Sequence, residues 1–189
     1  HGFSDRIFAV VNGYKLCLEV TLPDGVEEPP LIVYIHGGGW RQGSYKNNRM
    51  PWLVDHGFAV ASISYRLTDK AVFPAQIHDC KGAVRWLRAN AKQFGYDATR
   101  LAVAGGSAGA HLAMLLGMSP GVTELEGEIG GNTEQSTHVS AIVQYFGPSD
   151  FILRMETQPS TATSADRGSF KLLNGEATGH IDLDLARLA

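Results

Sequence analysis

Ala102-Val103-Ala104-Gly105-Gly106-Ser107-Ala108-Gly109 sets the organisation of everything around it. An apolar strand runs straight into Gly-x-Ser-x-Gly, and a helix is expected over Ala108 to Leu116. A serine hydroxyl is a weak nucleophile until the backbone presents it at a sharp strand-to-helix turn. Such a turn strains the serine backbone and crowds the chain around it, which Gly105 and Gly109 accommodate. Ser107 then heads a helix whose free N–H groups favour developing negative charge. Read without chemistry, the same residues make a glycine-rich turn with Ser107 as an ordinary N-cap. With 22 glycines in 189 residues, the bare pattern arises by chance about 0.16 times, so alone it is weak.

A second string shifts the balance. His36-Gly37-Gly38-Gly39-Trp40 follows the apolar run Leu31 to Ile35, and a His-Gly-Gly-Gly string is expected by chance only about 0.01 times. Both strings lie at the C-terminal end of an expected buried strand, where open α/β sheets place their ligand sites.

Working outward, Leu16, Leu18, Val20 and Leu22 alternate with polar positions and predict a half-exposed strand ending at Pro23-Asp24-Gly25. Leu31 to Ile35 is apolar throughout, as a strand covered on both faces requires. Asn48 to His56 predicts a short helix, and Phe58 to Ser64 the next strand. The longest helix opens near Pro74. Ile77, Cys80, Val84, Leu87, Ala91 and Phe94 form one apolar stripe, and Gly95 terminates it. Arg100 to Ala104 feeds the serine turn, and Val139 to Phe146 is a further strand. Met118 to His138 reads as a long polar loop, and Gln158 to Ser169 as a mobile surface segment. Strands alternating with helices imply a mostly parallel sheet.

The length suits one domain over residues 1–189. Hydrophobic residues at 44%, charged residues at 19% and a formal charge of −3 describe an ordinary globular composition. No basic stretch interleaved with aromatics supports nucleic-acid binding. No apolar run reaches membrane-spanning length. Cys17 and Cys80 are too few for a disulfide framework, lack metal-ligand spacing, and read as two buried thiols. The chain opens on His1, so a processed or trimmed start is expected, and the compartment, cytoplasmic or secreted, stays open.

These motifs resemble the α/β-hydrolases, and within them the esterase branch of feruloyl-esterase-like, acetyl-esterase-like and hormone-sensitive-lipase-like enzymes. The resemblance rests on His36 to Trp40, Tyr65-Arg66-Leu67, Phe73 to Ala91 with Asp79, Arg100 to Leu112, and Gly147-Pro148-Ser149-Asp150-Phe151. Gly106 stands where hormone-sensitive-lipase-like proteins commonly have Asp, and Ala110 replaces a further Gly, which leans towards the other two groups. The resemblance implies a three-layer α/β-hydrolase fold with a mostly parallel central sheet, incomplete at the C-terminus. It implies Ser107 as nucleophile and the N–H groups of Gly37, Gly38 and Ala108 as oxyanion hole. Trp40 is a candidate wall of the substrate site, with burial against the sheet the competing reading. His36 is expected to support its loop, and Arg66 and Asp79 to pair. No cofactor and no metal is implied.

The fold runs its triad in the order serine, acid, histidine. After Ser107 the histidines are His111, His138 and His180. His111 lies one turn along the serine helix, where packing is the plainer reading. His180 as base with Asp166 as acid keeps the formal order, yet no strand is expected before either, and Asp182 to Arg187 reads as a helix start. The plainer expectation is that acid and base lie beyond Ala189. The leading reading is therefore a carboxylic ester hydrolase working through an acyl-enzyme on a small-molecule ester. The alternatives are a hydrolase-like scaffold that binds without turnover, an inactive fragment, and a peptidase or amidase. An unpaired sheet edge would favour a homo-oligomer or swapped dimer.

Overall fold

A computed structural model describes residues 1–189. Six strands, β1 (Gly2–Val11), β2 (Tyr14–Thr21), β3 (Pro30–Ile35), β4 (Ala59–Ile63), β5 (Asp97–Gly106) and β6 (Ala141–Tyr145), form one sheet. Their order is β1-β2-β4-β3-β5-β6. From β4 to β6 all pairing is parallel, whereas β1 and β2 join antiparallel. The mostly parallel sheet expected of an α/β-hydrolase is present. The unbroken apolar runs form its centre: Leu31, Val33 and Ile35 of β3 and every residue of β4 are buried.

Successive strand residues face opposite ways, and the sheet uses both faces. Leu31, Val33, Ile35, Leu101 and Val103 enter the main core. Tyr34 and Ala104 point the other way and pack with Met50, Ile32 and Leu53. Met50 and Leu53 come from the 3₁₀ turn Pro51–His56 and the residue before it, which stand where a short helix was expected.

The helix α1 (Ala75–Phe94) follows its stripe: Ile77, Cys80, Val84 and Leu87 are buried, and Ala91 and Phe94 pack partly. Gly95 closes it at φ 78°, its N–H donating to Ala91. The helix α2 (Ala108–Met118) follows β5. Beyond it lie α3 (Thr123–Glu126) and, after β6, five short helices: α4 (Phe151–Thr157), α5 (Pro159–Ala162), α6 (Gly168–Leu172), α7 (Gly175–Thr178) and α8 (Leu183–Leu188). As expected from Asp182 to Arg187, Asp182 caps α8, accepting from the N–H groups of Asp184 and Leu185.

Four features depart from the sequence expectation. The strand β1 was not anticipated, because register shifts between Phe3 and Arg6 and between Ile7 and Ala9 break its alternation. Its turn carries a usable signal: Val11 pairs Tyr14 across Asn12-Gly13, both at positive φ, a two-residue hairpin. The polar segment 118–138 is anchored rather than free. Lys81 and Arg85, both buried on α1, reach Glu126, Ile129 and Gly131 within it. Those contacts close over some forty residues of chain, so no local periodicity announces them. Segment 158–169 contains α5 and buries Ala162 and Ser169. Of the two thiols, Cys80 is buried but Cys17 only half-buried.

Candidate active site

Ser107 leaves β5 at φ 55° and ψ −120°. A non-glycine residue held there costs on the order of 1–3 kcal/mol and persists only when its surroundings insist on it. They do. Its N–H donates to Tyr145 at 2.9 Å, extending the β5–β6 ladder, and its carbonyl accepts from His111 at 3.1 Å, starting the helix. An N-cap serine spends its oxygen on the N–H groups of the next turn. Ser107 makes no such bond, and its side chain is exposed. The glycines explain the rest of the turn. A Cβ at Gly105 would overlap the main chain of Gly109, and one at Gly109 would overlap the Ile35 carbonyl oxygen. Gly106, by contrast, faces open space.

The His36–Trp40 turn lies directly against this bend. A Cβ built on Gly37 would stand 2.7 Å from the Gly106 carbonyl oxygen and 3.5 Å from Ser107 Cβ. His36 Nδ1 is 2.8 Å from the Gly37 carbonyl oxygen. A carbonyl only accepts, so this nitrogen carries the proton. The ring stacks on Tyr65 at 4.4 Å, the Tyr65 hydroxyl donates to the His36 carbonyl at 3.0 Å, and the Thr68 N–H donates to Trp40 at 2.9 Å. Burial pushes His36 below its ordinary range, which keeps it neutral. The N–H groups of Gly37 and Gly38, which lie outside the helices and strands, donate to no protein acceptor, and Ala108 opens α2 beside Ser107.

Two cavities meet at Ser107 and Phe146. One, about 590 Å³, is walled by Tyr34, Met50, Trp52 and Tyr145 together with Gly37 and Gly38. The other, about 580 Å³, runs between Trp40 and the α4–α6 segment and carries Arg41, Arg154 and Arg167. Trp40 is 4% exposed, so it is buried and also forms part of that wall.

The remaining predicted residues lie apart. Asp166 is exposed, accepts from Ser164 Oγ, and stands 3.9 Å from Arg167 Nε. His180 is exposed and its ring makes no hydrogen bond. Neither lines a cavity with Ser107, and the two are not hydrogen-bonded to each other. His138 is exposed. No three histidine, cysteine or carboxylate side chains gather in a metal-holding group. No helix is long and apolar enough to cross a membrane. Sequence reasoning missed the three arginines, which lie far apart in the chain and share no spacing.

His111 packs as expected rather than facing Ser107. It is caged by Trp40, Phe73 and Phe151, with Nε2 2.8 Å from the Ala189 carbonyl oxygen. Burial pushes it down to about 4 from 6.5. The unfolded chain therefore takes up a proton near the ordinary value, and the folded chain only near the depressed one. Its contribution is complete above pH 6.5 and is lost as pH falls towards 4, amounting to roughly 3 kcal/mol. Urea unfolding at stepped pH should show that slope, and His111→Leu should remove most of it, leaving the smaller share of His36.

Comparison with known proteins adds a lineage. The family model described as BD-FAE matches residues 18–185. The probable carboxylic ester hydrolase LipM of Mycobacterium tuberculosis is 32% identical over 125 residues, which are 65% of this chain and 28% of that relative. The chain thus spans under a third of that relative's length. Among solved structures, a bifunctional GH43-CE protein of Bacteroides eggerthii superposes with a TM-score of 0.84 at 33% identity, over 100% of this chain and 28% of that one. A truncated form of a carbohydrate esterase from gut microbiota gives 0.75 at 27%, over 91% of this chain and 65% of the other.

Proposed function

We propose, for a chain that belongs to the BD-FAE family and has the α/β-hydrolase fold, that Ser107 is the nucleophile of a carboxylic ester hydrolase. The observation that carries the reading is its strained backbone, at φ 55°, which leaves an exposed, unbonded hydroxyl in the same cavity as Gly37 and Gly38, whose N–H groups are unused. In the forward step Ser107 Oγ attacks the ester carbonyl carbon and its proton passes to a histidine base. The carbonyl oxygen becomes an oxyanion held by the N–H groups of Gly37, Gly38 and Ala108. Collapse breaks the bond to the alcohol, which leaves with that proton. Water then attacks the acyl-enzyme and releases the acid.

Each donor is worth about 3–4 kcal/mol in the transition state. A main-chain donor cannot be deleted by truncating a side chain, but its orientation can be lost. Gly38 holds φ 118°, and any Cβ there would overlap Gln42. The cavity on each side of Ser107 takes one half of the ester. The carbohydrate esterase among the structural neighbours supports a sugar ester as the substrate class.

No ring of the seven histidines hydrogen-bonds the Ser107 hydroxyl. That observation favours a second reading, a hydrolase-like scaffold that binds without turnover. A fluorophosphonate probe separates the two on the full-length natural protein carrying these residues. An adduct mapped to Ser107 by peptide mass is expected. A folded protein that stays unlabelled overturns the esterase reading in favour of the scaffold.

A further inference from the structure

The cavity between Trp40 and the helices α4 to α6 is unlike its neighbour across Ser107. Its wall presents three guanidinium groups, from Arg41, Arg154 and Arg167, against a single carboxylate, Asp150. Asp150 is already occupied, since it caps α4 by accepting from the Leu153 N–H at 2.8 Å. Asp166 lies outside the wall, where it accepts from Ser164 Oγ and stands 3.9 Å from Arg167 Nε, offsetting part of that arginine's charge.

Arg154 is the unusual member. Its Nε is buried without any hydrogen-bond partner, and its side chain forms no ion pair. Other enclosed cations are engaged: Arg66 by Asp79, Lys81 by Glu126, and Arg85 by Glu126 and the Gly131 and Ile129 carbonyls. Arg88, whose Nε is likewise unpartnered, still donates its two terminal nitrogens to the Ala98 and His138 carbonyls, whereas no side-chain nitrogen of Arg154 is bonded. A buried donor left unpaired costs free energy, more so when it is charged. A group that must meet an anion from outside the protein accounts for that cost. The position of the cluster is also fixed. Gly168 lies so close to Gly39 that a Cβ would overlap the Gly39 carbonyl oxygen, and Arg41 donates to the Asp166 carbonyl. These contacts seat Arg41 and Arg167 on the edge of the glycine turn that faces Ser107.

Guanidinium groups select carboxylates through paired, directional hydrogen bonds. Around them the wall offers the side chains of Ser149, Thr157 and Thr161, which suit a hydroxylated ligand. We propose that this cavity binds a carboxylate-bearing sugar, the acidic alcohol half of the ester, with its carboxylate on Arg154 and the flanking Arg41 and Arg167. The acyl half then occupies the cavity of Tyr34, Met50, Trp52 and Tyr145. This assignment rests on the reading of Ser107 as nucleophile only for which bond is cut; the anion preference stands on the arginines.

The test is binding rather than turnover. The full-length protein carrying Ser107→Ala is titrated by calorimetry with methyl β-D-glucuronoside and with methyl β-D-glucoside, which differ in a carboxylate against a hydroxymethyl group. The uronate is expected to bind at least tenfold tighter at low salt. The gap should narrow in about 0.5 M NaCl, where exposed charges are screened within a few ångströms. Adding Arg154→Met should close the gap, and Arg41→Met should reduce it. Equal affinity for the two sugars overturns the proposal, as does a preference that survives both arginine changes. The phosphonate experiment is read separately. A labelled Ser107 with no sugar preference sinks only the acidic-sugar site, and a preference without labelling sinks only the esterase.

Discussion

Ser107→Ala in the full-length protein should, on the proposed esterase reading, lower turnover of a short-chain aryl ester by about four to six orders of magnitude while leaving the fold intact. The size follows from what is deleted. The hydroxyl is the only atom of that side chain able to form the acyl bond, and the three N–H donors can only stabilise charge that an attack has created. The residual rate is the part that oxyanion stabilisation of direct water attack supplies. The fold should survive because Ser107 Oγ makes no hydrogen bond, so its loss strands no partner. An alanine Cβ occupies the space of the serine Cβ and inherits the same φ of 55°. Thermal unfolding of the two proteins should therefore coincide within a few degrees. A variant that keeps more than a hundredth of the wild-type kcat/KM would show that Ser107 is not the nucleophile.

The serine bend was legible because its requirements are local. Gly105 and Gly109 are demanded by backbone within a few residues or one strand away, and a strand-to-helix change in periodicity marks the place. The α1 stripe was legible for the same reason, as was the anchoring of His36 in its own turn. What escaped reading depends on distance in sequence. The strand β1 hides its period behind two bulges. Segment 118–138 looks structureless until Lys81 and Arg85 reach it from α1. Arg41, Arg154 and Arg167 converge only because Gly168 meets Gly39 across more than a hundred residues. Asp166 and His180 show the converse limit. They satisfy an order along the chain, but order says nothing about proximity, and the folded chain joins neither to Ser107.

Asp79→Ala should destabilise the protein by about 3–5 kcal/mol, read as a fall in urea midpoint with unchanged slope. Asp79 has no exposure, and its two oxygens accept from the Arg66 N–H at 2.8 Å, from Nε at 2.9 and 3.1 Å, and from Nη2 at 2.8 Å. Despite these contacts, burial pushes the Asp79 carboxyl above its ordinary range. The contacts thus recover less than it cost to desolvate the carboxylate, and the pair's importance shows when one partner is removed. Arg66 would then be left 13% exposed with only the Ala75 carbonyl, at 3.3 Å, to accept from it. Replacing both residues, Arg66→Met with Asp79→Leu, should cost clearly less than Asp79→Ala alone, a sign of coupling that two independent contacts would not give. The consequence extends to the site. Tyr65 and Thr68, on either side of Arg66, hold the carbonyls of His36 and Trp40. Loosening Arg66 frees the turn that carries Gly37 and Gly38, so on the proposed esterase reading ester hydrolysis by full-length Asp79→Ala should fall even at temperatures where the protein remains folded. Activity that tracks the folded fraction alone would show that the Arg66–Asp79 pair supports the fold without positioning the donors.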